Sequence, residues 1–250
     1  MKPVARISTR GYYNLLNGKT IKNNSYYLYP KQDFKKLIDS KELTIMIHGL
    51  RNDSAGAIAK VILAKNKLKK LGYSYPVIGY SYDSNTIGAH LLKYAKRSLM
   101  AGQIIAQKNG RNLGKFIEDF KVNSPNTKIR LIGHSLGSQV ILSTLEYLSK
   151  KKNNFGIVEG VYFFGASITN DVPSSKKYSK ILQNIVNKKI VNHYAPSDEV
   201  LGWADKEKFV NGPLGLNGST GKPVSKYRQK LLKPKNHRFA SYAAVLNSFP

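Results

Sequence analysis

From about residue 42 onward, short apolar runs alternate with longer stretches of helical spacing. The runs are 43–47, 76–81, 129–132, 157–164 and 189–194, and helix-like segments lie between them near 54–71, 85–121, 138–150 and 176–186, with a last one after His237. Runs this apolar, each followed by a helix, predict a mostly parallel sheet buried on both faces, an α/β fold. Right-handed crossovers then place helices on both sides of the strands. The stretch from Leu91 through Leu99, Ile104 and Ile105 to Leu113, Phe116 and Ile117 keeps helical spacing but is long for one crossover. A helical cap over the carboxyl end of the sheet is therefore expected within 83–121. Residues 1–40 read differently. They are rich in Tyr, and Asn17-Gly18 between 12–16 and 19–21 predicts a tight, peripheral N-terminal hairpin. The expected organisation is Tyr-rich N-terminal strands (1–40) packed on a domain of 41–250, with no linker and no internal repeat.

Composition narrows the function classes. The 250 residues carry 41 Lys+Arg against 14 Asp+Glu, a formal charge of +27, yet 41% are hydrophobic, too many for a disordered basic tail. Clusters at 65–70, 150–152, 176–180 and 226–238 are not accompanied by a zinc finger, an RNP-like sequence or a basic heptad region. The charge points to anionic surroundings, a membrane surface or an acidic substrate, with nucleic acid a weaker expectation. The absence of Cys removes disulfides, thiolate metal sites and cysteine nucleophiles. No apolar stretch approaches the ~18 residues of a membrane helix. Met1-Lys2-Pro3-Val4-Ala5-Arg6 lacks the apolar run of a secretion signal, so a cytoplasmic location is expected. There is no His-Glu-x-x-His, no phosphate loop and no dinucleotide fingerprint, so neither a metal nor a cofactor is expected.

One motif carries chemistry. Ile129-Arg130-Leu131-Ile132 runs into Gly133-His134-Ser135-Leu136-Gly137, and Val140, Ile141, Thr144, Leu145 and Leu148 share one helical face beyond it. A strand, a Gly-x-Ser-x-Gly turn and a helix together predict a sharp elbow with the Ser135 hydroxyl exposed at its apex. The Leu136 N–H at the helix start is the first candidate donor to an oxyanion. Serine needs a base and an orienting acid. Of the five histidines, His193 and His237 follow Ser135 at a useful distance. His193 lies inside a strand-like run and reads as structural, as do His48, His90 and His134. His237 follows the Pro-bearing loop Lys233-Pro234-Lys235-Asn236 and is the expected base. Asp198, reached from a strand end by the three-residue loop Ala195-Pro196-Ser197, is the expected acid, with Asp171 in reserve and Glu199 pointing elsewhere. The strand-like Thr44-Ile45-Met46-Ile47 ends in His48-Gly49-Leu50, which offers the Leu50 N–H as the second oxyanion donor.

Taken in order, Ile47-His48-Gly49-Leu50, Gly133-His134-Ser135-Leu136-Gly137, Asp198 and His237 resemble the α/β-hydrolase superfamily over residues 42–250. Tyr162-Phe163-Phe164-Gly165-Ala166, the segment 191–201, Gly212-Pro213-Leu214-Gly215-Leu216 and Asn236-His237 are similar to a poorly characterised branch of it. That branch includes eukaryotic transmembrane and coiled-coil domain proteins with a hydrolase-like domain. The resemblance implies the Ser–Asp–His set but no substrate, and the chain lacks those relatives' membrane helices. The expected activity is a serine hydrolase cleaving a small-molecule or lipid carboxylic ester. The rival expectation is a catalytically idle hydrolase fold that binds anionic lipid or nucleic acid through its basic surface.

Overall fold

A computed structural model describes residues 4–88 and 94–250. His90 and Leu91, which the helical pattern included, lie outside the described residues. Among the described residues, eight strands form one sheet in the order β2-β1-β4-β3-β5-β6-β7-β8: β1 Arg6–Ser8, β2 Tyr27–Tyr29, β3 Glu42–Ile47, β4 Val77–Ser81, β5 Lys128–His134, β6 Val158–Phe164, β7 Val186–Tyr194 and β8 Tyr227–Leu231. Every pairing is parallel except that of β2, which runs antiparallel to β1 at the edge.

The apolar runs feed two cores because side chains alternate across a strand. Leu43, Ile45, Ile47, Ile129, Leu131, Val161 and Phe163 enter one core; Met46, Ile132, Tyr162 and Phe164 enter the other. On the first face lie α3 (Ala95–Asn123), α4 (Gly137–Leu148) and α5 (Lys176–Ile185); α2 (Ser54–Lys70) and α8 (Phe239–Val245) cover the second. Helix α2 starts where Asp53 accepts from the Gly56 N–H at 2.7 Å, and it buries Ala57, Val61, Ala64 and Leu68 in one stripe. On the same sheet face, the Arg130 guanidinium forks onto the Glu42 carboxylate at 2.9 and 3.0 Å. Burial would raise the Glu42 carboxyl, but this pairing holds it below its ordinary value.

Helix α3 runs along α4 at very short range. A Cβ at Gly110 would lie 2.4 Å from the Ser143 backbone, and one at Gly114 would lie 2.3 Å from the Tyr147 ring. The 83–121 stretch, so far as it is described, thus contributes a crossover helix whose Ile105, Leu113, Phe116 and Ile117 are core residues. Its first turns also reach the carboxyl end of the sheet, where Gly102 faces Leu50 and Leu136.

Along the N-terminal segment, the antiparallel pair is β1 with β2 rather than the residues flanking Asn17-Gly18. Those residues close as a loop with a single Tyr13–Thr20 bridge, in which Gly18 takes φ +71° and packs on Ile104. The loop after β1 is pinned by the Asp83 carboxylate, which accepts from the N–H groups of Gly11, Tyr12 and Tyr13 at 3.0 Å each. The remaining elements, α1 (Lys31–Lys35), α6 (Glu199–Lys206), α7 (Leu214–Asn217) and β8, have no counterpart in the apolar pattern.

Candidate active site

The site forms at the carboxyl ends of β3, β5, β7 and β8. Strand β5 ends in a turn so tight that Ser135 takes φ +52°, a left-handed backbone that a side chain disfavours. The turn closes because its glycines leave room: a Cβ at Gly137 would sit 2.5 Å from the Ile47 carbonyl oxygen, and one at Gly133 would sit 2.7 Å from Ile141. The strain is held by the Ser135 N–H donating to Phe164 O at 3.0 Å and by Ser138 Oγ donating to Ser135 O at 2.6 Å.

His237 comes from the loop after β8, and Asp198 from the short loop after β7, where it also caps α6. The His237 Nε2 lies 2.8 Å from Ser135 Oγ, and its Nδ1 lies 2.7 Å from Asp198 Oδ2. A carboxylate acceptor fixes the proton on Nδ1, which leaves Nε2 free to accept from the serine. Asp198 is 1% exposed and satisfied on both oxygens: Oδ1 takes the Leu201 N–H at 3.2 Å, and Oδ2 also takes the Tyr242 hydroxyl at 2.6 Å. Burial alone would raise the Asp198 carboxyl. The His237, Tyr242 and Leu201 hydrogen bonds outweigh it and hold the group below its ordinary value. Burial and this carboxylate push the Tyr242 phenol up in turn, so it remains a donor.

The loop after β3 reaches over the elbow. A Cβ at Gly49 would come 2.9 Å from the Ser135 Cβ, so only glycine lets the backbone pass this close. The N–H groups of Leu50 and Leu136 donate to no other group among the described residues. The loop itself is tied down: Asn52 Nδ2 donates to Gly49 O (3.1 Å) and Leu50 O (2.8 Å), while Arg10 donates to Asn52 O and Asp53 O, both at 2.9 Å.

The other candidates are placed elsewhere. Asp171 is exposed and accepts from Thr169 Oγ1 at 2.6 Å, away from the histidines. Glu199 is exposed in the first turn of α6. His193 is stacked on Phe164 and bonded to Phe163 O, and burial lowers its pKa to about 4. His48 stacks on Tyr82, accepts from Tyr82 N at Nε2, and is driven by burial to about 3. Tyr242, Arg10 and Asn52 were missed by the sequence reading. For Tyr242 the available signal was that a tyrosine buried on a helix just after the base needs a partner for its hydroxyl.

The parallel sheet with helices on both faces and the strained serine elbow together define an α/β-hydrolase fold. Within that class, the family described as a protein of unknown function, DUF726, matches residues 89–208, a span that includes Ser135 and Asp198 and ends before His237. Two relatives are uncharacterised membrane proteins: one from Caenorhabditis elegans, 38% identical over 73 residues, and one from Schizosaccharomyces pombe, 37% identical over 75. The matches take in 29% and 30% of this chain but only 11% and 9% of those relatives. Among the described residues, no helix is long and apolar enough to cross a membrane. Among solved structures, the chain is similar to a cutinase-like protein from Cryptococcus sp. (15% identity, TM-score 0.39, 76% of this chain and 75% of that one). It is also similar to the catalytic core of an acetyl xylan esterase from Trichoderma reesei (8%, 0.41, 78% and 82%).

Proposed function

We propose that this protein is a serine hydrolase that cleaves a carboxylic ester through an acyl-enzyme on Ser135. The observation that carries the reading is the continuous chain Ser135 Oγ–His237–Asp198, with links of 2.8 and 2.7 Å, at the apex of a strained elbow. In the first half-reaction His237 Nε2 takes the Ser135 proton as Oγ adds to the acyl carbon. Asp198 holds the Nδ1–H and stabilises the imidazolium. The oxygen of the tetrahedral adduct is received by the Leu50 and Leu136 N–H groups, both otherwise undonated. Collapse expels the alcohol, which leaves with the proton from His237. Water then repeats the sequence: it gives a proton to His237, adds to the acyl carbon, and releases the acid and Ser135.

The charge supports an anionic ester, or an anionic lipid surface that presents one. Lys60 lies on α2 and Arg238 is next to the base: burial lowers the Lys60 ammonium, and the nearby Arg238 charge lowers it further. Cations at the rim raise the local concentration of an anionic substrate.

The test is a fluorophosphonate probe together with a graded series of p-nitrophenyl esters. Wild type is expected to be labelled and to turn over esters, and Ser135→Ala to do neither. Equal labelling of the two would overturn the mechanism. Salt-sensitive binding to anionic vesicles with no labelling of wild type would support the idle binding protein instead.

A further inference from the structure

His134 precedes the nucleophile and touches neither Ser135 Oγ nor Asp198, yet it is bonded to the base's own residue. Its Nε2 lies 2.7 Å from the His237 carbonyl oxygen, and the two rings sit 5.1 Å apart. A carbonyl only accepts, so Nε2 must carry the proton. The neutral ring then has Nδ1 as an acceptor, and this buried atom has no partner among the described residues. It lies beside Gly49, 3.4 Å from where a Cβ would be. An orphaned ring nitrogen in a site 5% exposed is costly, and a phenylalanine or leucine would avoid that cost. Among the described residues, the one polar service the ring performs is its bond to the loop that carries His237.

That loop has few other ties. Asn236 Oδ1 accepts from the Arg238 N–H at 3.0 Å and from Ser241 Oγ at 2.8 Å, both bonds internal to the turn into α8. The His134 bond runs instead from the end of β5, the strand that sets the nucleophile, to the backbone of the base. Building on the serine-hydrolase reading, we infer that His134 is a positioning residue: it locks the His237 loop to the elbow, so that one rigid strand end fixes nucleophile and base together. A base held through its Nδ1 alone can pivot about Asp198. Holding its carbonyl as well removes that freedom.

The experiment compares His134→Leu, His134→Gln and His134→Asn in the full chain. Gln carries an amide donor at about the reach of Nε2; Asn stops one carbon short. Loss of the anchor is expected to lower kcat on p-nitrophenyl esters on the order of 10- to 100-fold, with KM nearly unchanged, in the Leu and Asn variants. The Gln variant is expected to recover most of that loss. Wild-type kcat in Leu or in Asn, or a Gln variant as poor as Leu, would overturn the inference. If Leu does not fold, the Gln–Asn pair still decides. A second readout needs no turnover: the low-field proton of His237 Nδ1–H is expected to be sharp in wild type and Gln and exchange-broadened in Leu and Asn. If that resonance is unchanged in all variants the positioning role fails, whereas absent labelling of wild type counts against the hydrolase reading alone.

Discussion

Tyr242→Phe is the sharpest single test of the charge arrangement, because it deletes one oxygen and little else. The hydroxyl donates to Asp198 Oδ2 at 2.6 Å, the same oxygen that holds His237, and Tyr242 is fully buried. A hydrogen bond to a buried charged group contributes about 1.5–3 kcal/mol, and removing its donor leaves the carboxylate under-solvated, so the variant should lose stability in that range at pH 7. The sign of the pH dependence follows from Asp198, whose folded-state pKa is depressed. Its contribution to stability is present above the unfolded carboxyl value of about 3.9 and is lost as pH falls through the folded value. The gap between wild type and Tyr242→Phe should therefore be full at neutral pH and shrink below about pH 4. Urea unfolding at pH 7 and pH 3.5 reads both the loss and its narrowing. A variant within about 0.5 kcal/mol of wild type at pH 7, or a gap as wide at pH 3.5 as at pH 7, would refute the reasoning.

Three further outcomes are expected. Ser135→Gly should be about 1 kcal/mol more stable than Ser135→Ala in chemical denaturation, because glycine accepts φ +52° without strain while both variants lose labelling. Glu42→Gln leaves the buried Arg130 guanidinium without its carboxylate and should cost about 3–5 kcal/mol by the same measurement, whereas Glu42→Met with Arg130→Met should cost markedly less. On an anionic ester kcat/KM should fall steadily between low and high salt, while a neutral ester of equal chain length stays flat; parallel curves would remove the cationic rim from the account.

The central strands were legible because a strand buried on both faces carries few polar positions to obscure it. All six residues of β3 and all seven of β6 are buried, and both stood out as apolar runs. Strand β8 was not, for the opposite reason: at the sheet edge only Tyr227 of its five residues is buried, so its Arg, Gln and Lys read as part of a basic loop. Strand β1 has only three residues, too few for any periodicity. The Asn17-Gly18 signal was real as a turn, with Gly18 at φ +71°, but only one bridge pair flanks it. Within the site, Ser135 could be read from its glycines, Asp198 from its order and its place just after a strand, and His237 from its order and the Pro-bearing loop it follows. Each of those cues is local. Arg10 and the second use of His134 leave no such trace, since each acts through a contact between elements distant in sequence, and Tyr242 leaves only its place on a helix just after the base.

Those silent contacts share one physical problem. Parallel strands end at the same edge, so a site assembled there is made of loops, and loops are the most mobile parts of a fold. Every piece of this site is accordingly bonded to a piece from another element: Asp198 to Tyr242 of α8, the His237 carbonyl to His134 of β5, and the Gly49–Leu50 turn, through Asn52 and Asp53, to Arg10. Arg10 belongs to the N-terminal segment, and Asp83 at the end of β4 holds that segment through three consecutive N–H groups. The segment around Arg10 is thus not an appendage to the sheet. It buttresses the loop that carries the Leu50 amide, so disturbing Arg10 should be felt where charge would develop in the transition state rather than at β1, the strand that Arg10 follows.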